Sequence, residues 1–181
     1  MTYLTLSNHS DGISVGSGNH VVYDIVNNRA HFGAHSVDSH ALVFSLGGTT
    51  DTETHMLSAK VDLSGSDRWL MRCDRIDFPP GGIAYLHTHP GPGIRCQLFG
   101  ELTVTSAGHT GTYSALEPWF EAGPDPVYAE ASPSESGAFV RVLVLPVEWA
   151  GKRTIRYVDP EDENKPKLQK ATVYLEEEVL V

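Results

Sequence analysis

Basic residues are scarce: 13 Lys and Arg stand against 23 Asp and Glu, a formal net charge of −10. A chain this acidic lacks the clustered cations that hold nucleic-acid phosphates or anionic headgroups, so neither is expected as a partner. Long apolar runs are also missing. No stretch approaches the roughly 18 residues that span a bilayer, and nothing near Met1 joins a basic start to an apolar segment. A cytoplasmic protein with no membrane partner is the expectation. Cysteine is nearly absent, with only Cys73 and Cys96. Both fall in runs that read as strand, without CxxC spacing, which points to buried thiols and excludes a disulfide framework or a zinc cluster.

What is present is ordinary for one globular domain: 181 residues, 40% hydrophobic and 20% charged. Residues 1 to 60 are the least regular part, with short apolar pieces such as Val21-Val22-Tyr23 and Leu42-Val43-Phe44 between Gly, Ser, Asn and His. They read as an extension of short strands and loops that packs on the rest of the chain or on a partner subunit. Six histidines lie there, of which His31 and His35 have the spacing of neighbours on a helical turn. From residue 67 the pattern changes to short apolar or alternating runs: RWLMRCDRIDF, IAYLHTH, IRCQLFGELTVTS, TYSALEPWFEAG, VYAEAS and AFVRVLVLPVEW. Gly and Pro separate them at intervals that indicate an all-β sandwich or barrel over residues 61 to 150. Pro79-Pro80 and the PGPG at 90 to 93 mark turns, because proline cannot donate to a sheet ladder. The tail, 151 to 181, opens with a charged loop and ends in strand-like pieces at 171 to 174 and 179 to 181.

The chemistry concentrates at His87-Thr88-His89. Side chains alternate along a strand, so both imidazoles face one side, close enough to share an ion such as Zn, Fe, Ni or Mn. A pair alone is short of the three protein ligands that a mononuclear site ordinarily needs.

The frame around the pair, Gly81, His87-Thr88-His89, a Pro-Gly turn, an apolar strand and Gly100, resembles the first signature of the cupin superfamily, GX5HXHX3-4EX6G. WFEAGPDPVYAEAS stands where the second signature would be, extending the likeness over residues 67 to 150. The resemblance implies a cupin-type double-stranded β-helix, or jelly-roll barrel, with a metal or ligand at its mouth. It also implies a homodimer, since cupins often pair and the extension exceeds what one barrel needs. The family's metal is held by two His and a Glu of the first signature and a His of the second. Here the glutamate's place is taken by Gly93, and Tyr128 stands roughly where the second signature's histidine would be.

Three replacements suggest themselves. Gln97 shares the inward parity of position 93 and is the expected third metal ligand, since a buried amide needs a partner. Tyr128 and Glu130 alternate on another strand, where Tyr128 could donate a proton and Glu130 could ligate metal or act as base. A distant histidine, from the N-terminal segment or His109, could fold over the mouth. Arg95, also inward, is expected to bind an anionic small-molecule substrate beside the metal, or else to pair with a barrel acid such as Glu101 or Glu130. Trp119 is expected on the rim or core wall, against the substrate. Two functions follow: a metal-dependent enzyme of undetermined class (oxygenase, isomerase, lyase or cyclase), or a non-catalytic small-molecule binder whose metal site has decayed.

Overall fold

In the computed structural model, which describes residues 1–48 and 55–179, the first third of the chain supplies seven strands. They are β1 (Thr2–His9), β2 (Ile13–Val15), β3 (His20–Asp24), β4 (Arg29–Phe32), β5 (His35–Val37), β6 (Ala41–Gly47) and β7 (Leu57–Val61). Five of them form one antiparallel sheet in the order β4-β3-β6-β1-β7, and β2 pairs with β5 in a small ribbon. His31 and His35 are therefore not on a helix: they sit on β4 and β5 with their rings stacked, 3.6 Å between centroids. Gly33 between them has a left-handed backbone, φ 76°, which breaks any helical turn and sends the two strands into different sheets. Positions 49–54 of the extension and 180–181 of the expected last strand lie outside the described residues.

Ten further strands follow. β8 (Trp69–Phe78), β9 (Ile83–Thr88), β10 (Gly93–Phe99), β11 (Leu102–Ser106) and β12 (His109–Tyr113) precede β13 (Pro118–Glu121), β14 (Val127–Ala131), β15 (Gly137–Pro146), β16 (Arg156–Tyr157) and β17 (Lys170–Val179). They build two sheets, β13-β10-β15-β8-β17 and β12-β11-β14-β9-β16, that face each other as a jelly roll. Gly81 and Gly100, which frame the histidine pair in sequence, both have left-handed backbone, with φ of 67° and 68°. A Cβ on Gly100 would meet the Ser136 carbonyl at 2.4 Å, so that turn needs glycine.

The β8 and β15 strands are buried on nearly every residue because the sheet they centre is covered twice. Trp69, Met71 and Cys73 of β8 and Val140, Val142 and Val144 of β15 pack against Leu4, Leu6, Tyr23 and Phe44 of the N-terminal sheet. The other face of the same strands turns into the barrel, where Ile76, Phe78 and Phe139 meet Ala84, Val104, Val127 and Ala129 of the outer sheet. The result is three β layers, with the middle sheet buried on both sides. Cys73 and Cys96 are buried free thiols in the first of these interfaces, and burial raises the Cys96 thiol to about 12.

One C-terminal excursion closes the barrel's flank. After β15 the chain leaves the middle sheet through a 3-10 turn at Val147–Trp149. As β16 it joins the outer sheet, pairing Tyr157 with His87. A second 3-10 turn, Pro160–Asn164, is capped by the Asp159 side chain accepting from the Glu161 amide. The chain then returns as β17 alongside β8. Among the described residues no helix is long and apolar enough to cross a membrane.

Candidate functional site

Alternation along the middle sheet sends a set of charged side chains inward. Asp74 of β8 lies opposite Arg141 of β15. Arg141 lies opposite Arg95 of β10, and Arg95 opposite Trp119 of β13. None of these charges can stay buried alone, and each has a partner. Arg141 donates from Nε and Nη2 to the two Asp74 oxygens at 2.5 and 3.0 Å. Arg95 is 1% exposed; its Nη2 is 2.5 Å from Glu121 Oε2, and its Nη1 donates to the Gly93 carbonyl at 2.6 Å. Arg72 pairs with Glu176 and donates to the carbonyls of Lys152 and Trp149 at 2.8 and 3.0 Å, fastening the excursion to the barrel.

The histidines meet this cluster from the outer sheet. His87 Nδ1 is 2.6 Å from the Tyr85 carbonyl, which can only accept, so that nitrogen carries the proton and Nε2 presents its lone pair. Two contacts then compete for His89 Nε2: His87 Nε2 at 3.1 Å and Arg141 Nη1 at 3.2 Å. As a donor it serves His87 and faces an arginine N–H; as an acceptor it serves Arg141 and faces a second lone pair. One of the two contacts stays unsatisfied in either tautomer.

Both rings are held neutral. Burial lowers His87 from 6.5 to about 4, with Arg141 and Arg95 adding to the effect against the Tyr85 hydrogen bond and Glu121. Burial first, then the same two arginines, lowers His89 well below the usual imidazole range. The unfolded chain therefore takes up protons before the folded one, and stability falls with pH through the window from 6.5 down to about 4. From His87 alone the expected loss between pH 7 and pH 5 is about 2 kcal/mol. Urea midpoints at the two pH values should show it, and His87→Asn should flatten the slope by a similar amount. An unchanged slope in the variant would assign the loss elsewhere.

Around these groups lies a cavity of about 610 Å³, bounded on one flank by the excursion through Thr154, Ile155 and Tyr157. Six Lys and Arg side chains line it against three Asp and Glu (Asp74, Glu121, Glu176). The three inner arginines are matched by these acids, so the surplus of cations lies toward the surface, on Lys152, Arg153 and Lys167.

No family profile and no curated protein matches the chain by sequence. Solved structures do match it in shape. An RmlC-like cupin from Shewanella frigidimarina is 19% identical over 49% of this chain and 84% of its own, with a TM-score of 0.39. The polyketide cyclase RemF from Streptomyces resistomycificus is 19% identical over 59% and 75%, with a TM-score of 0.41. A cupin protein from Bacteroides fragilis is 16% identical over 52% and 90%, with a TM-score of 0.39. Each likeness is one of shape, over about half to three-fifths of this chain.

Within the barrel, a carboxylate reaches the place of Gly93 from the next strand. Glu121 is the direct ladder partner of Gly93, and its Oε2 lies 3.9 Å from His89 Nε2. Sequence reasoning missed it, along with Asp74 and Arg141. A signal existed in the WFE triplet, where inward Trp119 forces inward Glu121 two residues on. Trp119 lines the cavity, and its Nε1 donates to Glu121 Oε1 at 2.8 Å.

The other expected site residues stand apart from the histidines. Gln97 does face inward, 1% exposed, but sits a rung deeper than Arg95 and donates to the Phe99 carbonyl at 2.9 Å. It is not part of the cavity wall. Tyr128 and Glu130 face outward, the Tyr128 hydroxyl 3.4 Å from Glu130 Oε2. The inward positions of β14 belong to Val127, Ala129 and Ala131, which the core requires there. Arg95 pairs with Glu121, not with Glu101 or Glu130. His109 is exposed on β12, and no N-terminal histidine reaches the cavity.

The donors present do not fit a resident divalent metal. The two Nε2 atoms have a spacing that two ligands of one ion could share, but the third donor is spent. One Glu121 oxygen accepts from Trp119 and the other is paired with Arg95. The Arg141 guanidinium, itself raised by Asp74 against the opposing effect of burial, approaches the His89 nitrogen that would have to ligate. Among the described residues no three His, Cys, Asp or Glu are grouped to hold an ion.

Proposed function

We propose that this protein binds a small anionic molecule, a carboxylate or a phosphate, inside its barrel without a resident metal, where Arg141, His89 and His87 converge. The observation that carries the proposal is the Arg141 Nη1 group, 3.2 Å from His89 Nε2 and on the cavity wall. Its other nitrogens are bound to Asp74, leaving this one to contest His89 with His87. An anion accepting from Arg141 Nη1 releases His89 to donate to His87, so that the two contacts competing for His89 Nε2 no longer conflict. The surplus of cations on the wall raises the local concentration of such a ligand.

Titration with benzoate, acetate and phosphate, followed by tryptophan fluorescence and calorimetry, should reveal saturable binding of at least one. Arg141→Lys keeps the charge but loses the planar fork, and is expected to weaken binding about tenfold or more. Lys60→Gln, on the N-terminal sheet away from the cavity, should leave it unchanged. Absence of binding at tens of millimolar, or wild-type affinity in Arg141→Lys, would overturn the proposal. Tight uptake of one Zn, Fe, Ni or Mn per chain would overturn its metal-free half.

A further inference from the structure

We infer, resting on the anion-binding reading above, that the ligand's body is a flat aromatic ring system held in a slot between the two barrel sheets, so that the ligand is an aromatic carboxylate. The ladder sets the order of groups along the barrel. Asp74, Arg95 and Arg141 form one rung, and the next rung along β8 and β15 pairs Ile76 with Phe139. The cavity therefore runs from a charged end directly into an apolar one.

The walls of the apolar end are unequal. On the middle sheet they are Trp119, Phe139 and Phe78; on the facing sheet they are small, Ala84 and Val127. Large side chains on one wall thus face small ones on the other across the part of the cavity that lies between the two sheets. The aromatic wall is held rigid. Trp119 stacks on Tyr113 at 4.6 Å with its Nε1 tied to Glu121, and Phe139 meets it edge-on at 5.2 Å. An apolar void of this kind costs stability while unfilled, and a planar ring fills it while making offset or edge contacts with the same aromatics.

The test compares four probes on the wild-type protein by calorimetry: 2-naphthoate, octanoate, acetate and the uncharged 2-naphthamide. The expected result is 2-naphthoate bound at least tenfold more tightly than each of the others. Ala84→Leu, which thickens the small wall, should weaken 2-naphthoate about tenfold more than it weakens acetate. Equal affinity for octanoate and 2-naphthoate, both above 2-naphthamide, would overturn the ring slot and leave the anion site standing. Equal affinity for 2-naphthamide and 2-naphthoate would overturn the anion site as well, and no binding of any probe at 10 mM would overturn both.

Discussion

Asp74→Ala is expected to cost about 3–5 kcal/mol of folding stability, because it strips one partner from a buried ion pair and leaves the other charged and dry. Asp74 is 1% exposed, and Arg141, at 7%, donates to both of its oxygens. The stranded guanidinium would also lie on the same rung as Arg95, its ladder partner, so the loss adds repulsion to desolvation. A fall in urea midpoint at constant slope would register this as stability and not as a change in the denatured state. The double variant Asp74→Ala with Arg141→Met should regain much of the loss, since removing both charges removes the unpaired one. Benzoate should raise the midpoint of Asp74→Ala by more than that of the wild type, as the anion supplies the missing negative charge. A loss below 1 kcal/mol would mean that Arg141 finds another acid or reaches water, and the cluster would lose its claim to hold the site in place.

The parts of this architecture that were legible in sequence are those written in short windows. Strand runs, the Pro79-Pro80 and PGPG turns and the parity of His87 and His89 each depend on fewer than a dozen consecutive residues. The charged cluster does not. Asp74, Arg95, Glu121 and Arg141 come from four strands, and only the register of β8, β10, β13 and β15 makes them neighbours. A trace was nevertheless present: Arg72 and Asp74 alternate with Met71 and Cys73, the pattern of a strand with one apolar and one polar covered face. On β14 the cue pointed the wrong way. Its inward residues after Val127 are alanines, which carry little hydrophobic signal, while outward Tyr128 and Glu130 carry the chemistry that draws attention. The N-terminal sheet was hard to foresee because its strands are short, and the apolar face of β8 and β15 that it covers does not say in sequence what lies against it.

Gly93→Glu, which restores the residue that the cupin signature would place there, is expected to destabilise the protein by about 3 kcal/mol and to create no metal site. A Cβ at position 93 would lie 2.6 Å from the Val142 carbonyl and 2.7 Å from Leu143 Cδ2, and 3.1 Å from Arg95 Nη1. The carbonyl belongs to β15, which pairs with β10 along its length, so relief requires moving a central strand and not merely a side chain. The new carboxylate would also enter beside Glu121, its ladder partner, where Arg95 can neutralise only one of the two. The loss should appear as a lowered urea midpoint, and equilibrium dialysis should find no stoichiometric zinc. A variant as stable as the wild type that binds one zinc per chain would reverse the conclusion, making the two histidines a metal centre short of a single ligand. On the geometry of β10 and β15 the glycine is required by the close approach of the strands. Across the ladder from that glycine stands Glu121, whose charge holds Arg95 in the barrel.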